Sequence, residues 1–373
     1  MSVTDPDVLV IKTAALGDVL RTTSILPGLA ATIPGVRITW VTAPGAFDLV
    51  RTHPLVAEVV TVETKNAADL ASVATRLSST RWARVISLDD EEPLCALAAQ
   101  LRTDRLSGAT LDASGRRAYT PDVAPWFDMG LLSVHGKQRA DELKISNQRS
   151  QPAIYAAMLG IPMGRPELVL PESARAFAAD FERRHELEGR WPIIGLNTGA
   201  GGRWTSKQLP PDRVIELARR LADEPPTTDA TFVVFGGDSE EARNAQILAG
   251  LARVGLGTRA IDAGVKNSLL DFAALVGRVD LLITSDSLAL HVGIALERHI
   301  VAFFAPTSAA EIELYGKGEK VVSTSPDACS YRADADNSSL TPHRLAAAAL
   351  RAFPRGSSQD SGRFGRSRTP EPR

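Results

Sequence analysis

Four short stretches of the sequence combine residue types that can do chemistry. The first is Lys12-Thr13-Ala14-Ala15-Leu16-Gly17-Asp18, which leads from an apolar run into a helical pattern. An aspartate at that place has two uses. It can cap or charge the helix start, where free N–H groups and the macrodipole favour an anion. Kept ionised by the same field, it can instead take a proton from a hydroxyl nucleophile. Thr13 and Gly17 would shape the loop that presents it.

The second stretch is Asn197 to Pro210, NTGAGGRWTSKQLP. Thr198 and Gly199 open it, and Gly199, Gly201 and Gly202 let backbone amides approach an anion closely. Arg203 and Lys207 are cations four residues apart, just before a helix. That is a way to hold a diphosphate, although a mobile surface loop with solvated charges has the same composition. The Gly-Lys-Ser/Thr ending of a P-loop is missing, and Trp204 stands where a dinucleotide fingerprint needs its third glycine.

The third and fourth stretches also follow apolar runs. In Phe235-Gly236-Gly237-Asp238-Ser239-Glu240-Glu241, a glutamate such as Glu240 can accept from ribose hydroxyls or serve as a first-turn acid. In Thr284 to His291, TSDSLALH, Asp286 ends a strand pattern and Ser287 is placed to cap a helix. Leu288 follows it, and His291 lies about one turn beyond Ser287. The helix start can receive phosphate, and the histidine can be a packing residue.

Other groups are less pointed. Asp89, Asp90, Glu91 and Glu92 can bind hydroxyls, act as a second base or begin a helix. Asp334-Ala335-Asp336 spells a D-x-D, yet it lies in a polar stretch that reads as loop. Six histidines and two cysteines show no zinc spacing, so no metal and no cofactor is expected.

The elements that must position these residues alternate. Strands are predicted over 8–12, 37–43, 56–62 and 83–88, with helices over 18–32, 46–51, 67–78 and 93–101 between and after them. Residues 104–150 show no clear period, and a helix over 151–159 ends at Gly160. The Pro-rich stretch 161–171 reads as a linker. Beyond it, strands are predicted over 191–197, 231–237, 259–264, 279–286 and, as the last, 299–306. Helices over 174–188, 211–222, 239–251, 269–276, 287–296 and 340–353 separate and follow them. Strands alternating with helices predict α/β architecture with parallel sheets. The expected domains are 1–165 and 172–353, facing across a cleft, with a disordered tail over 354–373.

Composition narrows the class. The 373 residues suit two domains. A formal net charge of −2 offers no field for nucleic acid. No apolar run reaches membrane-spanning length, no signal-peptide pattern opens the chain, and Cys95 and Cys329 can make at most one disulfide. A cytoplasmic location is the default. Residues 135–150 hold four cations (Lys137, Arg139, Lys144, Arg149) against two anions (Asp141, Glu142), a local net of +2. Such a patch can meet a phosphorylated acceptor, with peripheral membrane contact.

In order and spacing, these stretches resemble glycosyltransferase family 9, the ADP-heptose:lipopolysaccharide heptosyltransferase family. The resemblance spans roughly residues 8–352. It is carried by VLVIKTAALGDVLRTTSILPGL, by NTGAGGRWTSKQLP and by LLITSDSLALHVGIAL with the following Ala-Pro-Thr-Ser loop. It implies a GT-B fold and an inverting, metal-independent transfer from a nucleotide-activated heptose, ADP-heptose, to a glycan, glycolipid or small-molecule acceptor. It implies that Asp18 is the general base and that Lys207, Asp286, Ser287 and His291, with Arg203 and Glu240, hold the ADP moiety. Thr13, Gly17, Asp89, Lys137 and Arg139 would fall on the acceptor side. Leu288 stands where the family usually has glycine, and Ser87-Leu88-Asp89 replaces an Asp-x-Gln-like strand end. The competing readings are another nucleotide sugar used on a small natural product, and a sugar-nucleotide-binding protein without turnover. The missing dinucleotide fingerprint speaks against a dehydrogenase.

Overall fold

The structure, a computed structural model, describes residues 6–201 and 204–353. The chain divides into two compact units, one holding residues up to Val169 together with Ala310–Glu313, the other Leu170–Ala309 and the residues from Leu314 onward.

The first unit begins with β1 (Asp7–Ile11), whose Val8, Leu9, Val10 and Ile11 are fully buried. A strand apolar on both faces must lie inside a sheet covered on both sides. Then follow α1 (Leu16–Thr22), α2 (Ile25–Thr32), β2 (Arg37–Thr42), α3 (Phe47–Val50), β3 (Val56–Thr61) and α4 (Ala67–Ser78). After them come β4 (Arg81–Trp82), β5 (Arg84–Ser87), α5 (Glu92–Ala99), β6 (Arg102–Thr103), β7 (Leu106–Leu111) and β8 (Arg117–Tyr119). The helices α6 (Ala124–Phe127), α7 (Gly136–Ser146) and α8 (Gln151–Leu159) complete the unit. Gly160 ends α8 at φ 66°, a left-handed cap that glycine adopts without a Cβ clash.

The second unit holds α9 (Glu172–Arg184), β9 (Ile193–Asn197), α10 (Pro211–Asp223), β10 (Thr231–Val234), α11 (Glu241–Arg253) and β11 (Ala260–Asp262). It continues with α12 (Leu269–Val276), β12 (Leu281–Ser285), α13 (Leu288–Ala295), β13 (His299–Phe304), β14 (Gly318–Val322) and α14 (Pro342–Ala352). Its core packs Ile194, Leu196, Phe232, Val234, Ile283 and Phe303 between the sheet and its helices. Fully burying each such side chain stabilises the fold by about 1.5–3 kcal/mol.

The two sheets share a topology. The first runs β3-β2-β1-β5-β7-β8 and the second β11-β10-β9-β12-β13-β14. All pairings in these two sheets are parallel except β7 with β8. In each, the chain winds outward from a central strand and then returns to its other side. That reversal separates the loops beyond β1 and β5 in one unit, and beyond β9 and β12 in the other, opening a crevice for ligands.

Three expectations change. The pattern over 18–32 is two helices, because Pro27 cannot donate to the Thr23 carbonyl and its ring crowds it. Thr23 turns its hydroxyl onto the Leu20 carbonyl at 2.7 Å instead. Residues 104–150 are not irregular: β7 and β8 form a hairpin whose turn is tied by Asp112, which accepts from the Ser114 and Arg116 amides. The strand over 299–306 is not the last, since β14 adds a parallel edge. The expected tail, 354–373, lies outside the described residues. Among the described residues no helix is long and apolar enough to cross a membrane.

Candidate active site

In the second unit, the loops beyond β9, β10, β11 and β12 surround a cavity of about 450 Å3. Asn197, Lys207, Glu240, Asp286 and Ser287 supply its polar lining, and Val265, Leu269 and Phe272 apolar lining. The Trp204 ring, also in the lining, has its centre 5.5 Å from the Lys207 ammonium. Lys207 ends a short turn at Thr205–Lys207, and its ammonium donates to the Asp286 carbonyl at 2.8 Å and carboxylate at 3.0 Å. Burial alone would raise the Asp286 carboxyl, but the Lys207 and His291 charges outweigh it and hold it down at about 2. His291 Nε2 lies 3.8 Å from the other Asp286 oxygen. The carboxylate therefore stays ionised and fixes a cation at the cavity wall.

Glu240 ties two glycine loops together. Its carboxylate accepts the Gly201 amide at 3.0 Å and the Gly237 amide at 2.7 Å. The fit requires Gly199, where a Cβ would sit 1.9 Å from Glu240 Oε1. Arg243 braces the same loop from behind, donating to the Thr198 carbonyl and hydroxyl at 3.1 and 2.9 Å. Ser287 precedes α13 with no side-chain cap bond. Instead the Asn197 amide donates to its hydroxyl at 3.2 Å, which joins the β9 and β12 ends.

In the first unit, the loop beyond β1 is held from two sides. The Lys12 ammonium and the Thr13 amide both donate to the Asp89 carboxylate, and the Thr13 hydroxyl does so at 2.7 Å. Trp40, fully buried, donates its indole N–H to the Lys12 carbonyl at 3.1 Å. Burial works against the Lys12 charge, but Asp89 and then Asp18 outweigh it and hold the ammonium above its ordinary range. From this anchored loop α1 begins, with Gly17 and Asp18 in its first turn. The Asp18 carboxylate, 38% exposed, pairs with Arg21 at 2.9 Å.

The expected site residues therefore sort into groups. Gly199, Lys207, Glu240, Asp286, Ser287 and Leu288 line one cavity, with His291 behind Asp286. Thr198 is fully buried and serves Arg243 rather than the cavity. Arg203 lies outside the described residues. Asp89 is 5% exposed and engaged by Lys12 and Thr13, so it anchors the loop rather than meeting an acceptor. Lys137 and Arg139 lie exposed on α7, paired with Asp141 and Glu142 respectively. Asp334 pairs with Arg332, and Asp336 accepts from the Ser338 amide. The sequence reading missed Asn197, Arg243, Arg21 and the apolar wall. The strand-end position of Asn197 and the three-residue spacing of Arg21 from Asp18 were the local signals, whereas Arg243 reaches Thr198 from far along the sequence.

The glycosyltransferase family 9 (heptosyltransferase) model matches residues 129–340. A lipopolysaccharide heptosyltransferase 1 from Pseudomonas aeruginosa is 24% identical over 322 residues, 84% of this chain and 82% of that protein. Among solved structures, a family 9 glycosyltransferase from Veillonella parvula superposes with a TM-score of 0.74 at 22% identity, covering 94% of this chain and 98% of that one. The E. coli ADP-heptose lps heptosyltransferase II gives 0.65 at 19% identity, with 93% and 98% covered. The E. coli heptosyltransferase WaaC with ADP gives 0.57 at 18%, with 92% and 97% covered. The two parallel-sheet units are those of a GT-B fold. The chain belongs to glycosyltransferase family 9, the heptosyltransferase family, and is a glycosyltransferase.

Proposed function

We propose that this enzyme moves a heptose from ADP-heptose to a hydroxyl of a lipopolysaccharide-core or related glycan, with inversion and with Asp18 as general base. The observation that carries the reading is the cation at the cavity wall: Lys207, fixed by an ionised Asp286, beside the glycine loop that Glu240 holds open. The relatives' names support the donor, since one was solved with ADP and another is called an ADP-heptose transferase.

The chemistry is a single displacement. Asp18 takes the proton of the acceptor hydroxyl. That oxygen bonds to the anomeric carbon from the face opposite the diphosphate, and the bond from carbon to diphosphate oxygen breaks with its electron pair. ADP leaves carrying the new charge. Lys207 and the free amides at the start of α13, at Leu288 and Ala289, are placed to stabilise it. The apolar wall at Val265, Leu269 and Phe272 suits a stacked base, and Glu240 suits ribose hydroxyls.

The acceptor side is read from Gly17 and α7, with Thr13, 4% exposed and bonded to Asp89, shaping the loop from beneath. The cations Lys137 and Arg139 spend their charge on neighbours within α7, while Leu131, Leu132, Val134 and Ile145 nearby in sequence stand exposed. That display supports a lipid-bearing acceptor met at the cytoplasmic face of a membrane. The test is a thermal-shift panel of ADP, UDP, GDP and their sugar conjugates, since a ligand stabilises the state it binds. ADP and ADP-heptose raise the melting temperature most. A shift from UDP with none from ADP overturns the donor assignment.

A further inference from the structure

Asp18 does not act from an isolated position on α1. Arg21 follows three residues later, so its guanidinium lies over the same face and meets the Asp18 carboxylate at 2.9 Å. The same guanidinium lies 3.9 Å from the Glu311 carboxylate and 5.3 Å from the centre of the Trp126 ring. The Arg21 side chain is only 15% exposed, so water and salt screen these contacts weakly. Glu311 belongs to Ala310–Glu313, the piece of later sequence that is part of this unit. Its carbonyl accepts the Gln151 amide at 2.9 Å, at the start of α8. Two other titratable groups act on Asp18 through space: Lys12, clamped by Asp89, and the Tyr155 phenol of α8, which burial above all pushes up to about 12.

We propose that Arg21 is a positioning residue for the transfer, which fixes the Asp18 carboxylate and sets its proton affinity, while Glu311 draws part of the guanidinium charge away. A carboxylate wholly committed to a guanidinium is a poor base, and one without a cation is protonated too readily as pH falls. Dividing Arg21 between two carboxylates places Asp18 between those limits. The proposal rests on the reading of Asp18 as the base, but its own test does not need turnover.

The test titrates Asp18 by carbon-13 NMR of aspartate-labelled protein, with Asp18→Asn identifying the resonance. In parallel, kcat/KM is followed against pH with ADP-heptose and a heptose-free lipopolysaccharide-core glycolipid. In Arg21→Met, removal of the cation raises the Asp18 titration and the acid limb of the rate profile by about one pH unit. In Arg21→Lys the titration stays near the wild-type value. In Glu311→Gln both move the other way, to lower pH, because Arg21 is then given over to Asp18. ADP affinity, a property of the second unit's cavity, serves as the folding control. An unmoved titration in Arg21→Met overturns the proposal, as does a shift of the same sign in Glu311→Gln; the latter variant decides alone if Arg21→Met fails to fold. Full turnover by Asp18→Asn would instead sink the base assignment and leave the NMR result for Arg21 standing.

Discussion

The Lys207 ammonium donates to both the backbone carbonyl and the carboxylate of Asp286, at 2.8 and 3.0 Å. One side chain thereby locks the end of β12 to the loop beyond β9 and keeps a positive charge on the cavity wall. Lys207→Met removes that charge and takes from the Asp286 carboxylate, whose side chain is 19% exposed, its nearest cation, leaving His291 at 3.8 Å. The expected cost is about 2–3 kcal/mol of stability and at least a tenfold loss of ADP affinity. Denaturant unfolding and calorimetric ADP titration check the two numbers separately.

Gly199→Ala puts a methyl 1.9 Å from Glu240 Oε1. Glu240 can move only by releasing the Gly201 or Gly237 amide. ADP binding is expected to weaken about tenfold or more, as a hydrogen bond to a charged group is lost. Gly45→Ala, with nothing near its Cβ position, should leave binding alone.

Asp89 and Lys12 form a buried pair beneath the Asp18 loop. Asp89→Ala leaves the ammonium without its main counter-charge and is expected to cost about 3–5 kcal/mol. Adding Lys12→Met should recover much of that loss, a coupling that a double-mutant cycle reads directly. The double variant folds but transfers slowly, because the loop that presents Asp18 has lost its anchor. Additive losses in the cycle would contradict the pairing.

His53 is 3% exposed, and burial lowers its pKa to about 4. The folded protein thus resists a proton that the unfolded chain takes up near pH 6.5. Stability from this group is complete above about 6.5 and is lost as pH falls toward 4, by about 3 kcal/mol in all. Unfolding free energies measured from pH 7 to 4 should flatten in His53→Gln. An equal slope in both proteins would assign the acid sensitivity elsewhere.

Strand and helix order could be read from sequence because parallel strands buried on both faces are written as short apolar runs, as in Val8–Ile11 and Leu281–Ile283. The turn glycines and Lys207 marked the cavity-lining loop beyond β9 for the same local reason. What escaped was long-range. Asp89 reads as one acid among four, and only the folded sheet brings it under Lys12. Glu311 lies between β13 and β14 of the second half, and nothing local marks it for the unit that carries Asp18. Ser287 reads as a helix cap, yet Asn197 claims its hydroxyl across the sheet.

The central claim is that Asp18 is the base for sugar transfer. It is tested most directly by measuring ADP release and product formation from ADP-heptose for wild type and Asp18→Ala, with ADP affinity measured in both. The account predicts unchanged ADP affinity and a transfer rate lower by about 10²–10⁴-fold, the usual worth of a general base. Transfer at the wild-type rate by Asp18→Ala would contradict it.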